Sequence, residues 1–354
     1  MKIIVTIKDI AKVANVSIAT VSNSLNDTGW VSDTVKAQVK KIASDMGYIP
    51  NVIATSLKKG KLNTIGVISE DITCFNMPDI IDGISEYAEN AGYSLLLANL
   101  RYLKKTSSKG EDYSESLHKY IDQITKLGNS LLNNTEGIIY IGSTEWETKA
   151  FIKNTNKPIV YTYSHIMDTL PNQFSVYYDD ENASYQAVKY LISQGHKNIG
   201  LITGPLHWVS VQNRLKGYQL ALKETGIKFN PDYVRTGRFC TEDGLKYGRE
   251  LLETSNSLTA IYCMNDEIAI GVLYSALDMG YKIPKDISII GTDDIRESSI
   301  IRPELSTMRL PLREMGIESG RLLIDMIENK VDESKLQDVK LQCKLISRES
   351  TRRI

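Results

Sequence analysis

The chain has 354 residues, 42 basic and 43 acidic side chains, and a formal net charge of −1. That length suffices for two or three domains, and 42% hydrophobic against 24% charged residues is a globular balance that excludes a disordered or fibrous chain. No apolar run approaches the roughly 20 residues of a membrane span, the N-terminus has no secretory signal pattern, and Cys74, Cys240, Cys263 and Cys343 have no paired spacing; a disulfide scaffold and a cysteine zinc site are excluded, and a reducing cytoplasm is implied.

The near-zero total hides a division along the chain. Residues 1–62 hold nine lysines and four aspartates, a net of +5, and the acidic excess lies in the remainder. A basic head on an acidic body suits a polyanionic partner; a solvated lysine-rich face is the plain alternative. Residues 7–14 have apolar side chains at helical spacing, and 15–17 break the pattern. Ser17 is a good N-cap for a second short helix through Leu25, and small Ala11 permits close approach of the two. A third helix is predicted over 32–46 on the stripe Val35, Val39, Ile42 and Met46, with Gly47 as its stop. Two helices joined by a three-residue turn and supported by a third make a helix-turn-helix. After Pro50, residues 51–60 read as one more short helix, too short to persist alone in water, or as a plain linker.

Residues 6–26, TIKDIAKVANVSIATVSNSLN, resemble the headpiece of the lactose/galactose repressor family of bacterial transcriptional regulators. MGYIPN at 46–51, followed by Ala54 and Leu57, resembles that family's hinge, and the similarity continues to LISRES at 345–350, so it covers nearly the whole chain. The resemblance implies that the second helix enters the major groove of double-stranded operator DNA and that a homodimer reads a near-palindrome. By position, Ile18, Ala19 and Asn23 are implied as base-edge readers. Ser17, Thr20 and Ser22 then serve as backbone or phosphate contacts, and Thr6 and Asn26 are further DNA-binding candidates. Many relatives carry Arg where this chain has Asn23. Asparagine suits adenine, and Ile18 and Ala19 suit a thymine methyl, so a half-site richer in A·T is expected. Leu57 takes the place of the minor-groove wedge, beside Ala54 and Lys58. Thr55 replaces a frequent Arg, with Lys58 and Lys59 nearby as substitutes.

From residue 64 onward short apolar strands alternate with amphipathic helices. Strands are predicted at 65–69, 94–99, 137–141, 159–162, 198–203, 260–264 and 287–291; helices are predicted at 79–91, 114–128, 182–194, 211–225, 243–253 and 266–279. The rhythm implies α/β units with parallel sheets, more than one sheet holds comfortably. The expected fold is therefore an all-α helix-turn-helix headpiece (1–50), a hinge (51–62) and an α/β core of two doubly wound subdomains (63–354). The family resemblance implies that this core is periplasmic-binding-protein-like and crosses between lobes three times. Lobe one is then about 63–177 with 309–340, and lobe two about 178–308 with 341–354. Residues 104–112 are polar and suit a surface loop.

Ligands of open α/β sheets bind beyond the carboxyl ends of strands. Arg214, Asn265 and Asp293 there can donate and accept at paired hydroxyls, and Phe239 offers a flat apolar face. The resemblance implies an effector stretch through Gly204, Ser210 and Arg214, with Asn265 and Asp293 beside it. Asn76 and Met77 stand where relatives often carry other residues, and Tyr163 where some carry an acid; Trp208 is a further candidate for lining the pocket. Asp266 reads either as a ligand contact or as a helix N-cap, Asp294 and His196 as structural residues, and the cysteines as small hydrophobes.

No phosphate-binding or dinucleotide-binding glycine loop, HExxH or GxSxG occurs, and the four histidines lack metal spacing. Neither an enzyme nor a metal or other cofactor is expected. A sugar-binding transport protein shares the bilobal body, but it needs an export signal and no basic helical head. The expectation is a cytoplasmic DNA-binding regulator, dimeric, without a tetramerising heptad tail, controlled by a small carbohydrate-like effector; a protein corepressor or a non-sugar metabolite is the alternative.

Overall fold

The computed structural model describes residues 5–48, 62–101, 113–142, 150–153, 155–166, 170–255, 257–332 and 335–354. The expectations for the hinge, including Ala54, Leu57 and Lys58, and for the surface loop at 104–112 lie outside the described residues. Two compact units are present, Met1–Leu62 and Asn63–Ile354.

In the first unit, helix α1 spans Ile7–Ala14, α2 Ile18–Leu25 and α3 Asp33–Asp45. Local chemistry sets their ends. The Asp9 carboxylate accepts from the Thr6 N–H at 2.9 Å and the Thr6 hydroxyl at 2.7 Å, closing the start of α1. Ser17 Oγ accepts from the Thr20 N–H at 3.0 Å, the cap expected of it. Gly47, at φ +65°, takes the left-handed conformation that ends α3. Ile10, Ala11, Ala14, Val21, Val39 and Ala43 form the buried core.

In the second unit, strands β1 (Thr64–Ser69), β2 (Ser94–Asn99), β3 (Ile138–Ile141), β4 (Ile159–Thr162) and β5 (Gln173–Tyr178) belong to lobe one, with helices α4 (Met77–Asn90) and α5 (Tyr113–Leu132). Lobe two holds α6 (Asp180–Ser193), β6 (Ile199–Thr203), α7 (Val209–Glu224), β7 (Val234–Thr236), α8 (Thr241–Thr254), β8 (Ala260–Cys263), α9 (Asp266–Asp278), β9 (Ser288–Asp293) and β10 (Ser306–Arg309). Helix α10 (Leu312–Ile327) and β11 (Val339–Leu341) return to lobe one, and β12 (Lys344–Ile346) joins lobe two. The sheet orders are β2-β1-β3-β4-β5-β11 and β7-β6-β8-β9-β10-β12, parallel except for the β10–β12 pair. Both are doubly wound, and apolar clusters cover both faces of each. The chain passes between lobes at 178–180, 309–312 and 341–344.

Predicted strands and helices in the body agree with the structure to within a few residues. Those not expected are β5, β7, β10, β11, β12 and α10. Four of these strands have three or four residues, too few for a period to register. Helix α10 carries Gly316 and Gly320, which read as breakers. In the structure they permit close packing: a Cβ on Gly316 would lie 2.1 Å from the Ile80 carbonyl of α4, and one on Gly83 2.2 Å from that of Arg313. Among the described residues, no helix is long and apolar enough to cross a membrane.

Candidate functional site

Two sets of candidate residues lie in different units. In the head, Val21 packs into the core, so α2 turns its first residues outward: Ser17 and Ala19 are exposed and Ile18 is 43% exposed. Thr20, Ser22 and Asn23 are half-buried, and Thr6 and Asn26 are exposed. Several of the polar side chains already have local partners. Ser17 Oγ lies 2.9 Å from Thr20 Oγ1, and Asn26 Nδ2 donates to the Ser22 carbonyl at 2.7 Å. The Asn23 amide lies against the following turn, where Thr28 Oγ1 donates to its Oδ1 at 3.5 Å and a Cβ on Gly29 would sit 2.7 Å from its Nδ2. Lys40 is paired with Asp27 at 2.8 Å, while Lys8, Lys12 and Lys41 stand exposed. Trp30, in the loop after α2, is fully exposed. It was not singled out in the sequence, because nothing in its neighbourhood distinguishes a surface tryptophan from a core one.

In the second unit the structure brings Tyr163, Trp208, Arg214, Phe239, Asn265 and Asp293 together around the junction of the lobes. Arg214 projects from α7 and is 4% exposed. Its Nε donates to Asp180 Oδ1 at 2.7 Å, Nη2 to the Tyr178 hydroxyl at 2.9 Å, and Nη1 to the Met264 carbonyl. Tyr178 ends β5 and Asp180 opens α6, so one guanidinium ties lobe two to the first crossing. Sequence reasoning missed both partners. The signal was an acid pair, Asp179 and Asp180, just past a strand, which reads as an ordinary helix start.

Tyr163 lies 5.4 Å from Tyr178, ring to ring, and stands at φ 69° just past β4. On the other side the Trp208 and Phe239 rings are 5.3 Å apart, and the Arg214 guanidinium lies 6.0 Å from the Phe239 centroid. Gly204 makes room for Phe239, since a Cβ there would fall 2.1 Å from the ring. Asn265 is a positioning residue: Oδ1 accepts the Ile268 N–H at 2.9 Å, capping α9, and Nδ2 donates to the Phe239 carbonyl at 3.3 Å.

Asp293 ends β9 and is 7% exposed. Burial pushes its carboxyl well above the usual carboxylate range, with Arg214 pulling the other way. Burial also raises Asp180, again against Arg214, and raises the phenols of Tyr163 and Tyr178. Asn76 and Ser210 are buried, and Met77 sits in the lobe-one core, where its sulfur accepts the Ser69 hydroxyl at 3.4 Å. Among the described residues, no hydrogen bond or ring contact ties these three to the Arg214 cluster.

The neighbouring acids are structural. Asp266 is not the N-cap of α9, which is Asn265. Its carboxyl accepts from Thr307 Oγ1 at 2.6 Å, Ser298 Oγ at 2.7 Å and the Ile295 N–H at 3.1 Å, and burial raises its pKa to about 6. Asp294 accepts from Arg309 and Arg348, each at 2.6 Å. His196 links the end of α6 to Thr259 Oγ1 at 3.0 Å and the Arg352 carbonyl at 3.1 Å. Among the described residues, no group of histidine, cysteine and acidic side chains could hold a metal.

Comparison with known proteins bears on both units. Residues 6–51 match a family model described as bacterial regulatory proteins, lacI family, and residues 188–351 match a periplasmic binding protein-like domain. The chain is 33% identical to catabolite control protein A of Priestia megaterium over 98% of its own length and 99% of that protein's. It is also 33% identical to the HTH-type transcriptional repressor CytR of Escherichia coli (strain K12), over 98% of this chain and 96% of that one. Among solved structures, a lac repressor bound to ONPG in the repressed state superposes with a TM-score of 0.79 at 25% identity, covering 98% of this chain and 99% of that one.

Proposed function

We propose, from the premise that this chain belongs to the lacI family of bacterial regulatory proteins, that it is a dimeric repressor working in the cytoplasm and released from or recruited to its operator by a small carbohydrate-like effector. The observation that carries this reading is the outward-facing start of α2 on a basic three-helix head, in the same chain as the buried cluster around Arg214. Domain roles follow: 1–50 read DNA, 51–62 form the hinge, and 63–354 bind effector and dimerise.

Ile18 and Ala19 present apolar contacts to thymine methyls in the major groove, and Asn23 an amide to adenine. Thr6, Ser17, Thr20, Ser22 and Asn26 fix register on the phosphates. Leu57, flanked by Ala54 and Lys58, wedges into the minor groove when the two hinge segments of a dimer meet. Effector enters beside Trp208, Phe239, Arg214 and Asp293, with Tyr163, Asn265, Asn76, Met77 and Ser210 shaping the surroundings. Its binding changes the angle between lobes at the three crossings and hence the spacing of the hinges. Ligand and operator then share one coupling free energy, about 1–3 kcal/mol, acting equally in both directions.

The experiment is selection from random duplexes followed by binding titration with the winner. A near-palindrome richer in A·T opposite residues 18, 19 and 23 is expected. Leu57→Ala should lower affinity for it by about tenfold or more, because the kink is no longer stabilised. A guanine selected opposite Asn23, or undiminished binding by the Leu57 variant, would remove the corresponding part of the account.

A further inference from the structure

We propose that lobe two carries a second small-molecule site, remote from the cleft, and that this site takes a nucleotide, a planar heterocycle joined to a phosphate. The site is a groove of about 570 Å³ between the end of α7, the loop 226–233 and the start of β6. That volume falls within the roughly 300–1,000 Å³ of small-molecule pockets. The cleft lies beyond the carboxyl ends of the strands, whereas this groove lies at the amino ends of β6 and β7, on the opposite edge of the sheet.

Local chemistry fixes the walls. Gly226, at φ +70°, ends α7 and turns the chain, and the Ile227 N–H donates to the Leu222 carbonyl at 2.9 Å. Asn230 Oδ1 accepts from the Asp232 N–H at 3.0 Å and shapes the loop. The Tyr218 hydroxyl donates to the Ile199 carbonyl at 2.8 Å, and the Tyr233 hydroxyl lies 2.8 Å from Ser257 Oγ. The Phe229 ring stands edge-on to Tyr218, 6.2 Å between centroids. Ile227, Phe229 and Tyr233 are half-buried, so the groove offers fixed apolar and aromatic surface to a flat ring.

The polar groups suit the rest of a nucleotide. Lys197 and Lys228 flank the groove, both exposed, and no acidic side chain lines it among the described residues. Lys223 lines an adjoining hollow that shares Lys228 and Phe229. Among the described residues none of these lysines is ion-paired, and neighbouring Glu224 is engaged by the Tyr185 hydroxyl at 2.6 Å and Lys189 at 3.8 Å. The ammonium groups are free to meet a phosphate. The half-buried Asn198 uses its backbone carbonyl within the protein, while its side-chain amide has no hydrogen-bond partner among the described residues. An amide donates and accepts side by side, which matches the edge of a nucleobase. A neutral sugar leaves the lysines unmatched, and inorganic phosphate leaves the aromatic lining in water. A nucleotide engages the rings, the amide and the lysines together.

The test titrates the full-length protein calorimetrically with AMP, GMP, CMP and UMP, and then with inorganic phosphate. The expected result is that at least one nucleotide binds, and that inorganic phosphate binds at least about tenfold more weakly. The double variant Lys197→Gln, Lys228→Gln should weaken the nucleotide by at least about tenfold as well. Both lysines are exposed, so its melting temperature and operator affinity should match those of wild type. Asn198→Ala should narrow the spread of affinities among the four bases. Silence from all four nucleotides overturns the inference. Binding undiminished in the double variant also overturns it, by placing the nucleotide elsewhere, and phosphate binding as tightly as any nucleotide reduces the groove to a general anion patch. None of these failures touches the operator or the effector in the cleft, so they are distinguishable from failure of the function proposed above.

Discussion

In the head, residues proposed to meet DNA stand on the outside. Ser17, Ile18 and Ala19 lie exposed at the start of α2, while Ile10, Val21 and Val39 behind them hold the three helices together. In the body, Arg214, Asp180, Tyr178 and Asp293 are each less than a tenth exposed, and Arg214 is hydrogen-bonded to Asp180, to Tyr178 and to the backbone. On the proposed reading the head separates stability from recognition, because the exposed side chains at the start of α2 contribute little to its core. In the body the groups proposed to meet the effector also hold the fold, since removing Arg214 leaves buried polar partners unsatisfied. Substitutions therefore have different signatures in the two units, and this difference can be measured.

The largest effect is expected at Arg214. Arg214→Met leaves Asp180 buried without its cation and should destabilise the body by about 3–5 kcal/mol. Urea unfolding measures it, and adding Asp180→Asn to the same protein should recover much of the loss. A single variant as stable as wild type would mean that the cluster is not structural and that the contrast with the head is false.

Ile18→Ala is expected to give the opposite signature. Operator affinity should fall by about 1–3 kcal/mol, the range of a lost base contact. Melting should stay within about 0.5 kcal/mol of wild type, because the side chain adds little to the head's core. Loss of stability on the scale of a core truncation would show that α2 depends on the side chain it presents.

The smallest effect sharpens the picture of the body. The Asp266 carboxyl has a pKa of about 6 in the folded protein, above the 3.8 of an exposed aspartate. Its protonated form is favoured by folding, so its contribution is fully present below pH 4 and is lost as pH rises through 6. Between pH 7 and pH 5, wild type should gain about 1 kcal/mol relative to Asp266→Asn, read as the change in their stability difference. His196, whose burial lowers its pKa, acts in the opposite direction but is common to both proteins and cancels. A difference independent of pH would mean that the Asp266 carboxyl titrates at its ordinary value.

Much of the fold was legible along the chain. The Ser17 cap, the 7–14 helix and the strands at 94–99 and 159–162 rest on hydrogen bonds and apolar spacing within a few residues, which a sequence carries directly. The candidate site was legible only in part. Asn265 and Asp293 could be placed beyond strand ends, but Asn265 is bonded to its own helix and to the Phe239 carbonyl, which the sequence did not show. Asp180 looked like a helix start and is the partner of Arg214.

By itself, the sequence determined a basic helical head, alternating strands and helices, and the residue types available beyond the strand ends. The tertiary structure decided which strands share a sheet, that α10 and β11 return to lobe one, and that Arg214 faces Asp180 while Asp266 faces Thr307. The physical reason is range. Caps and periodicities act over one or two turns, whereas these pairings join residues 34 and 41 positions apart and exist only once the chain has closed on itself.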